Sequence, residues 1–245
     1  MSRPQLSVVI PVYNEEKRVG VTLADGFSFL KTRKIAAEIL VVDDGSRDAT
    51  LRVVEPYRRK SGARLSLRVL KHAANQGKGA AVRTGMAASR GLHAVYMDAD
   101  NSTPLSEYAK LRPLLDSYDV AVGSRAVDRS QVELHQPFYR EFMGRTFNLM
   151  VQALAVPGIK DTQCGFKAFR GDVARRVFPL QTIDRFGFDP EVLFIARRLG
   201  YRLTEVQVKW INSPDSKVHV VRDSTRMFFD LLRIRRNALQ GLYGR

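Results

Sequence analysis

Two acidic residues separated by one position, Asp98 and Asp100, follow an apolar segment of strand-like composition. In an extended chain alternate side chains point to the same side, roughly 6.5–7 Å apart, so both carboxylates can face one hydrated cation. Mg²⁺ or Mn²⁺ is typically held by one or two carboxylates and completes its shell with water and substrate phosphates. Helix capping by Thr103 and Pro104 is the alternative interpretation, and it leaves the two acids unexplained. The pair therefore predicts a metal site that binds a nucleoside diphosphate.

A second acidic pair, Asp43 and Asp44, follows an earlier apolar segment and precedes a glycine. An acid beside glycine is common in turns, but two acids at a strand end can also accept hydrogen bonds from a ribose or a base edge. Lys78 lies between Gly77 and Gly79, in a run that resembles a phosphate loop only loosely. One residue separates the two glycines and no Ser or Thr follows the lysine, so the spacing disfavours an NTPase. Lys78 is interpreted either as a ligand residue or as part of the entry to a helix of small residues.

Other kinds of site find less support in the sequence. No G-x-G-x-x-G pattern follows the first apolar segment, which argues against an NAD-binding domain. A phosphatase that uses Asp-x-Asp would carry the pair on its first strand, whereas several strand-like segments come first here. Cys164 is predicted to be a buried, small apolar residue, and Asp189, which precedes Pro190, is predicted to cap a helix. His135 and the other three histidines lack the spacing of metal ligands.

The elements that must position these residues follow an alternating rhythm of strands and helices. In the first predicted helix, apolar residues recur at spacings of four, four and three from Val19 to Leu30, and Asn14 is the predicted N-cap. A helix from Phe138 to Val156 and a last strand from Leu203 to Val208 follow later. The earlier strands are predicted at Leu6 to Val12, Glu38 to Asp43, Leu65 to Lys71, Leu92 to Asp98 and Tyr118 to Val122.

Alternating strands and helices predict an α/β fold with a doubly wound, Rossmann-like and mostly parallel sheet flanked by helices. Ligands bind such sheets at the carboxyl ends of the strands, which is where the acidic pairs occur. The 245 residues contain no repeat or linker, so one domain is expected over residues 1–245. Residues 1–125 would form the half that binds the nucleotide, residues 126–221 a second half, and residues 222–245 a basic amphipathic C-terminal helix.

Composition limits the partners of this domain. Lys and Arg number 40 against 25 Asp and Glu, which gives a formal net charge of +15 and a pI of about 10.3. Nucleic acid, an anionic membrane or a phosphorylated small molecule could each use that charge. One cysteine excludes an internal disulfide, and no apolar run reaches the roughly 18 residues that a membrane-spanning helix needs. A cytoplasmic protein is therefore expected.

The last predicted helix carries much of this charge. Residues 222–245 hold six Arg and two Asp, a net charge of +4. On a helical wheel the arginines and the apolar residues form separate faces. Contact with an anionic membrane and packing on the domain are both compatible with this pattern. The arginine face contains Arg222, Arg226, Arg233 and Arg236, and the apolar face contains Met227, Leu231, Ile234, Ala238 and Leu242.

Several motifs together resemble family 2 glycosyltransferases with the GT-A fold. The early ones, shared by many members, are Ser7 to Glu16, Val42 to Ser46, Asn75 to Gly79 and Asp98 to Asp100. The later ones resemble the branch of dolichyl-phosphate or polyprenyl-phosphate glucosyltransferases, and Asp161 to Lys167 is the most specific. The others are Gly123 to Arg125, Phe188 to Glu191, Val208 to Trp210 and Ser216 to Lys217.

The resemblance implies a role for each matching residue. Asp98 and Asp100 would hold Mg²⁺ or Mn²⁺, and Lys217 would hold the donor diphosphate, with Arg125 near the phosphates. Asp100, Lys217 and Arg125 form the expected catalytic set. Pro11, Tyr13 and Glu15 would line the nucleoside pocket with Asp43 or Asp44, and Lys167, Arg145 or Arg125 would hold the acceptor phosphate. The expected substrate-binding set is Pro11, Tyr13, Glu15, Asp43, Asp44, Lys78, Asp98, Ala99, Lys167 and Arg145.

The resemblance also implies a reaction. A sugar, first of all glucose from UDP-glucose, would pass with inversion to a polyprenyl or dolichyl phosphate at the cytoplasmic face of a membrane. Transfer of mannose from GDP-mannose, or another family 2 reaction, is the alternative, and a non-catalytic basic binding protein is a remote one. The acceptor phosphate, with a second pKa of about 6, is mostly ionised at neutral pH and needs no general base.

Overall fold

In the computed structural model of this chain, residues 3–125, 151–152, 155–211 and 220–244 are described. Their strands form one seven-stranded sheet in the order β3-β2-β1-β4-β6-β5-β7. All pairings are parallel except those that β6 makes with β4 and β5. The strands are β1 (Leu6–Val12), β2 (Ala37–Asp43), β3 (Leu65–Lys71), β4 (His93–Met97), β5 (Val120–Ser124), β6 (Phe166–Arg170) and β7 (Leu203–Gln207).

The helices cover both faces of the sheet, with one apolar cluster on each side. Strands such as β1 and β2 are apolar almost throughout because both of their faces are buried. Short 3₁₀ turns occur at Leu105–Glu107, Arg112–Asp116 and Phe178–Leu180. The helices are α1 (Val19–Thr32), α2 (Thr50–Arg59), α3 (Lys78–Ala87), α4 (Tyr108–Leu111), α5 (Gly171–Val177), α6 (Phe188–Arg198) and α7 (Val220–Leu239).

The predicted α/β architecture is confirmed, but β6 was not predicted. Its sequence, Phe-Lys-Ala-Phe-Arg, places a lysine inside a strand that lies between β4 and β5 and is buried except at Arg170. Met97 of β4 pairs with Phe166 of β6. The antiparallel strand therefore brings the segment just before it, Asp161 to Gly165, against the residues that follow β4.

Two predictions of helix capping are wrong. Asn14 has a left-handed backbone (φ 52°) and lies four residues before Arg18, which is the N-cap of α1. Gly187, and not Asp189, is the N-cap of α6. Most of the predicted helix from Phe138 to Val156 lies outside the described residues. Within the described ranges no helix is both long enough and apolar enough to cross a membrane.

Candidate active site

The site lies where the parallel strands β1, β2 and β4 end. Val12, the last residue of β1, pairs with Asp43, the last residue of β2, and the main-chain N–H of Asp44 donates to the Val12 carbonyl (2.9 Å). Asp98 and Asp100 follow β4, which pairs with the other edge of β1. Because these strands run in the same direction, both acidic pairs lie at one edge of the sheet, as the motifs predict.

Asp44 organises the neighbouring loop. Its Oδ1 accepts from the main-chain N–H of Gln76 (2.9 Å) and contacts His72 Nδ1 (2.7 Å). Its Oδ2 accepts from Asn75 Nδ2 and from the N–H of Gly77, both at 2.8 Å. The carboxylate is buried and has two partners on each oxygen, so in this arrangement Asp44 holds the loop, and its contact with a ligand stays a prediction.

Asp43 is buried as well, but it is the acid of this pair with an oxygen left for a ligand. Its Oδ1 accepts from the main-chain N–H of Ser46 (3.0 Å), and its Oδ2 has no hydrogen-bond partner among the described residues. Of the two alternatives for the nucleoside contact, the geometry favours Asp43.

Lys78, the first residue of α3, forms an ion pair with Asp98 (Nζ–Oδ1 2.5 Å). Burial by itself lowers the pKa of this ammonium group, but the carboxylates of Asp98, Asp189 and Asp100 outweigh it and raise the pKa above its usual value. Lys78 therefore stays protonated throughout the neutral range. The Asp44-bound loop fixes its position, because Gly77 immediately precedes it.

Asp98 and Asp100 occupy a turn and not the extended segment that the sequence predicted. The strand ends at Met97, and Asn101 has a left-handed backbone (φ 57°). Asp100 Oδ1 accepts from the main-chain N–H of Ser102 (3.0 Å), and its Oδ2 lies 3.8 Å from Arg18 Nη1. Both carboxylates remain partly exposed.

The donor set at this turn fits a small divalent cation. Asp98 and Asp100 supply carboxylate oxygens, and the buried Asn101 Oδ1 has no hydrogen-bond partner among the described residues. No three His, Cys, Asp or Glu side chains gather into a preformed cage anywhere in the described ranges. Mg²⁺ commonly binds through one or two carboxylates together with substrate phosphates, and the two carboxylates here can supply the protein's share of those donors.

The other predicted substrate-binding residues lie in or just after β1, or in the turn itself. Tyr13 is exposed at the end of β1, and Pro11 is half-buried. Glu15 is buried and holds Arg18 through two contacts of 2.7 Å. Ala99 is also buried, and its carbonyl accepts from Thr22 Oγ1 (2.6 Å), so its side chain does not face the open part of the site.

Arg125 lies just beyond β5 and is held in a fixed position. Its Nε and Nη2 donate to the two oxygens of Asp161 (2.7 and 2.9 Å), and its guanidinium lies over the Trp210 ring, 5.5 Å from the centroid. Burial lowers the pKa of Arg125, but Asp161 more than offsets this effect. The side chain is about one-third exposed, so Arg125 presents a fixed cation at the border of the site.

The prediction that Lys167 holds the acceptor phosphate is wrong in this arrangement, because the side chain is fully buried in β6. Its Nζ donates to the Asp189 carboxylate and to the Cys164 carbonyl (2.6 Å), and it lies over the Tyr96 ring. Asp189 also accepts from Tyr96 Oη (2.6 Å). Asp189, interpreted from the sequence as a helix cap, is thus the centre of a buried network beneath the site.

This buried network reaches Asp98 through Gly165. Lys167 holds the Cys164 carbonyl, and a Cβ on the adjacent Gly165 would overlap the Asp98 carboxylate. Only glycine allows this close approach. Cys164 is buried and unpaired, as predicted.

Two residues of the Asp161 to Lys167 run were missed as site candidates. Thr162 Oγ1 and Gln163 Nε2 are buried and lack hydrogen-bond partners among the described residues. Buried polar atoms are normally satisfied, so these two suit contacts with a bound ligand. Their place in the Asp161 to Lys167 motif was the signal that could have identified them as candidates. Lys217 and Arg145, by contrast, lie outside the described residues.

Comparison with known proteins gives a consistent result. The family model "Glycosyl transferase family 2" matches residues 7–178. The chain is 37% identical to the dolichyl-phosphate beta-glucosyltransferase of Dictyostelium discoideum over 97% of this chain and 76% of that protein. It is 36% identical to the Homo sapiens protein of the same name, over 98% of this chain and 77% of the relative.

Solved structures share the fold at lower sequence identity. Mannosyl-3-phosphoglycerate synthase from Rubrobacter xylanophilus superposes with a TM-score of 0.68 at 19% identity, over 97% of this chain and 75% of the other. Glucosyl-3-phosphoglycerate synthase from Mycobacterium tuberculosis, in a complex with Mn²⁺, UDP and glucosyl-3-phosphoglycerate, gives 0.65 at 20% identity, over 94% and 80%.

Proposed function

This chain belongs to glycosyl transferase family 2, and we propose that it transfers glucose from UDP-glucose to dolichyl phosphate or a similar polyprenyl phosphate. The reaction class rests on the family match and on relatives named for transfer to dolichyl phosphate. The observation in the fold that carries the proposal is the turn after β4. There Asp98, Asp100 and Lys78 place two carboxylates and one protonated ammonium at the ligand-binding edge of the sheet.

The donor would bind across the ends of β1, β2 and β4. Asp43 offers a carboxylate oxygen to the ribose or the base, and the exposed Tyr13 ring lies at the end of the neighbouring strand. Asp98 and Asp100 would hold Mg²⁺ or Mn²⁺, which when bound neutralises charge on the diphosphate. Lys78 is oriented by its ion pair with Asp98 and adds a second positive charge at the same place.

The chemical step needs no general base from the protein. An oxygen of the ionised acceptor phosphate forms a bond to the anomeric carbon, and the bond from that carbon to the UDP oxygen breaks. The electron pair leaves with UDP. Attack opposite the leaving group inverts the configuration, and the names of the relatives specify a beta product. The protein's contribution is to position both substrates and to stabilise the departing diphosphate.

The sugar and acceptor would lie on the side of the site formed by the second half of the chain. Thr162 Oγ1 and Gln163 Nε2 suit sugar hydroxyls, and Arg125 offers an anchored cation for a phosphate. Lys217 and Arg145 remain proposed for the donor diphosphate and the acceptor phosphate. We propose the cytoplasmic face of a membrane as the location, because a lipid acceptor and a water-soluble donor meet at an interface.

A transfer assay tests the proposal. The full chain is incubated with Mg²⁺ or Mn²⁺, dolichyl phosphate and radiolabelled UDP-glucose, GDP-mannose or UDP-N-acetylglucosamine, and the lipid is then extracted. We expect label from UDP-glucose in the lipid fraction, in a beta linkage. Faster transfer from GDP-mannose would assign the mannosyl alternative, and no transfer from any donor would contradict the proposal.

A further inference from the structure

The last helix, α7, has an outer apolar strip in addition to its packed inner face. Phe229, Leu232 and Leu239 are 62%, 46% and 91% exposed, and Leu242, just after the helix, is 52% exposed. On a helix with 3.6 residues per turn, the first three lie within about 80° of one another. These four are half of the eight large hydrophobic side chains that are exposed in the described ranges. Such clustering marks an interaction surface.

Arginines lie on both sides of this strip and also within it. Arg235 lies beside Leu239, Arg236 lies between Phe229 and Leu239, and Arg226 lies beyond Phe229, all of them exposed. Residues 226–244 contain four Arg and one Asp, a net charge of +3. An apolar strip flanked by arginines is complementary to a bilayer with anionic headgroups, because the rings and aliphatic chains enter the acyl boundary while the guanidinium groups remain at the phosphates.

The inner face of α7 is fixed to the domain by a buried polar network. Asn237 Nδ2 donates to Thr182 Oγ1 (2.9 Å) and to Tyr243 Oη (3.1 Å). Tyr243 Oη in turn donates to Glu191 Oε1 (2.7 Å), a fully buried carboxylate of α6. Leu231, on the same helix, is fully buried. The outer strip is therefore held in a definite orientation.

The same network continues to the start of α3, next to Lys78. Glu191 accepts from the main-chain N–H groups of Thr182 and Ile183, both at 2.9 Å. The segment that these bonds hold packs on the entry to α3: Gln181 Nε2 donates to the Gly79 carbonyl (2.9 Å), and the Ala80 N–H donates to the Asp184 carbonyl (3.0 Å). A short path of buried contacts thus connects α7 with Lys78.

We propose that the outer face of α7, defined as Phe229, Leu232, Leu239, Leu242, Arg226, Arg235 and Arg236, docks on an anionic lipid surface. Docking there sets the orientation of the donor site toward the membrane. The inference deepens the proposed function, on which it rests for the membrane location of the acceptor. Binding to vesicles can be measured without any transfer reaction, so the two proposals can fail separately.

Vesicle flotation tests the surface directly. The full chain is mixed with vesicles of phosphatidylcholine, with or without phosphatidylglycerol. We expect binding to the anionic vesicles that added salt weakens, and a loss of roughly tenfold or more in partitioning for both the Leu232→Gln/Leu239→Gln and the Arg235→Gln/Arg236→Gln variants. The matched control is Val21→Gln/Leu92→Gln, which removes exposed apolar side chains elsewhere and leaves partitioning unchanged.

A transfer assay then separates docking from chemistry. With a short-chain, water-soluble polyprenyl phosphate, the Leu232→Gln/Leu239→Gln variant should match the parent chain. With dolichyl phosphate in anionic vesicles, its rate should fall. Vesicle binding without any transfer would contradict the proposed function and support the docking surface.

Three outcomes would overturn the docking inference. One is equal partitioning to neutral and anionic vesicles, and another is unchanged partitioning in both double variants while circular dichroism confirms that they are folded. The third is sedimentation that shows a dimer lost in the leucine variant, without vesicle binding, because the strip would then be an interface between two copies of the chain.

Discussion

Two lysine–aspartate pairs at the ligand-binding edge of the sheet have the same chemistry but different surroundings. In the pair formed by Lys78 and Asp98, the side chains are 22% and 35% exposed. In the pair formed by Lys167 and Asp189, they are 0% and 3% exposed. Residue type therefore does not reveal the role of a charged group, whereas its access to solvent and its partners do.

The partly exposed pair of Lys78 and Asp98, the open pair, can change partners when a ligand arrives, because water already competes for both groups. The buried pair of Lys167 and Asp189, the closed pair, cannot change partners, since removing either one would leave an uncompensated charge in the interior. The closed pair nevertheless influences the open one. Asp189 contributes to raising the pKa of Lys78, and Lys167 holds the Cys164 carbonyl next to the glycine that contacts Asp98.

The largest effect is expected when the partly exposed carboxylate next to the open pair, that of Asp100, is removed. We expect Asp100→Ala to lower transfer at least about a thousandfold, because the proposed cation, which would offset the diphosphate charge, would lose a ligand. The thermal midpoint should change little, since Asp100 is partly exposed. Asp116→Ala is the matched control, because Asp116 is an exposed aspartate that pairs with Arg112 on the surface. A near-normal rate for Asp100→Ala would contradict the assignment of the metal site.

Removing one member of the closed pair should lower the stability of the folded chain. Asp189→Ala should reduce the free energy of unfolding by about 3–5 kcal/mol, because Lys167 would remain buried without its counter-ion. The double variant Asp189→Ala/Lys167→Met should recover much of this loss in chemical denaturation. If the double variant were no more stable than Asp189→Ala, the ion pair would not be the cause. Glu55→Gln, which breaks an exposed ion-pair cluster with Arg58, should leave the midpoint unchanged.

The connection between the two pairs is tested at Gly165. We expect Gly165→Ala to lower kcat by roughly ten- to a hundredfold, because the added methyl group displaces the Asp98 carboxylate. Gly62→Ala is the control, since a Cβ at Gly62 meets no atom within 4 Å. An unchanged kcat for Gly165→Ala would mean that this close approach does not position Asp98.

The smallest effect is expected at Cys164. Burial, together with the Asp161 carboxylate, raises the pKa of this thiol to about 12. The reactive thiolate is therefore nearly absent between pH 7 and 9, and iodoacetamide should not modify the folded chain, as measured by intact mass. In guanidinium chloride the same thiol should react within minutes. Rapid labelling of the folded chain would show that the layer beneath the site is open to solvent.

Much of the structure of residues 1–125 was predictable because the sequence signals there are local. The run from Leu65 to Lys71 matches β3 at both ends, and the acidic pairs lie at the strand ends where they were expected. β6 was missed because Lys167 interrupts its apolar pattern. That lysine is tolerated within the sheet only because Asp189, distant in sequence, neutralises it.

The sequence by itself determined the alternating α/β pattern, most strands of the sheet and the family, and it predicted candidate residues for a nucleotide sugar. These properties depend on apolar periodicity and on motifs within a few residues of one another. Only the tertiary structure decided that Asp44 and Lys167 serve the protein's interior, while Asp43, Asp98 and Lys78 border the site. The physical reason is desolvation: partners from distant parts of the chain determine which charges are buried and satisfied, and which remain available to a ligand.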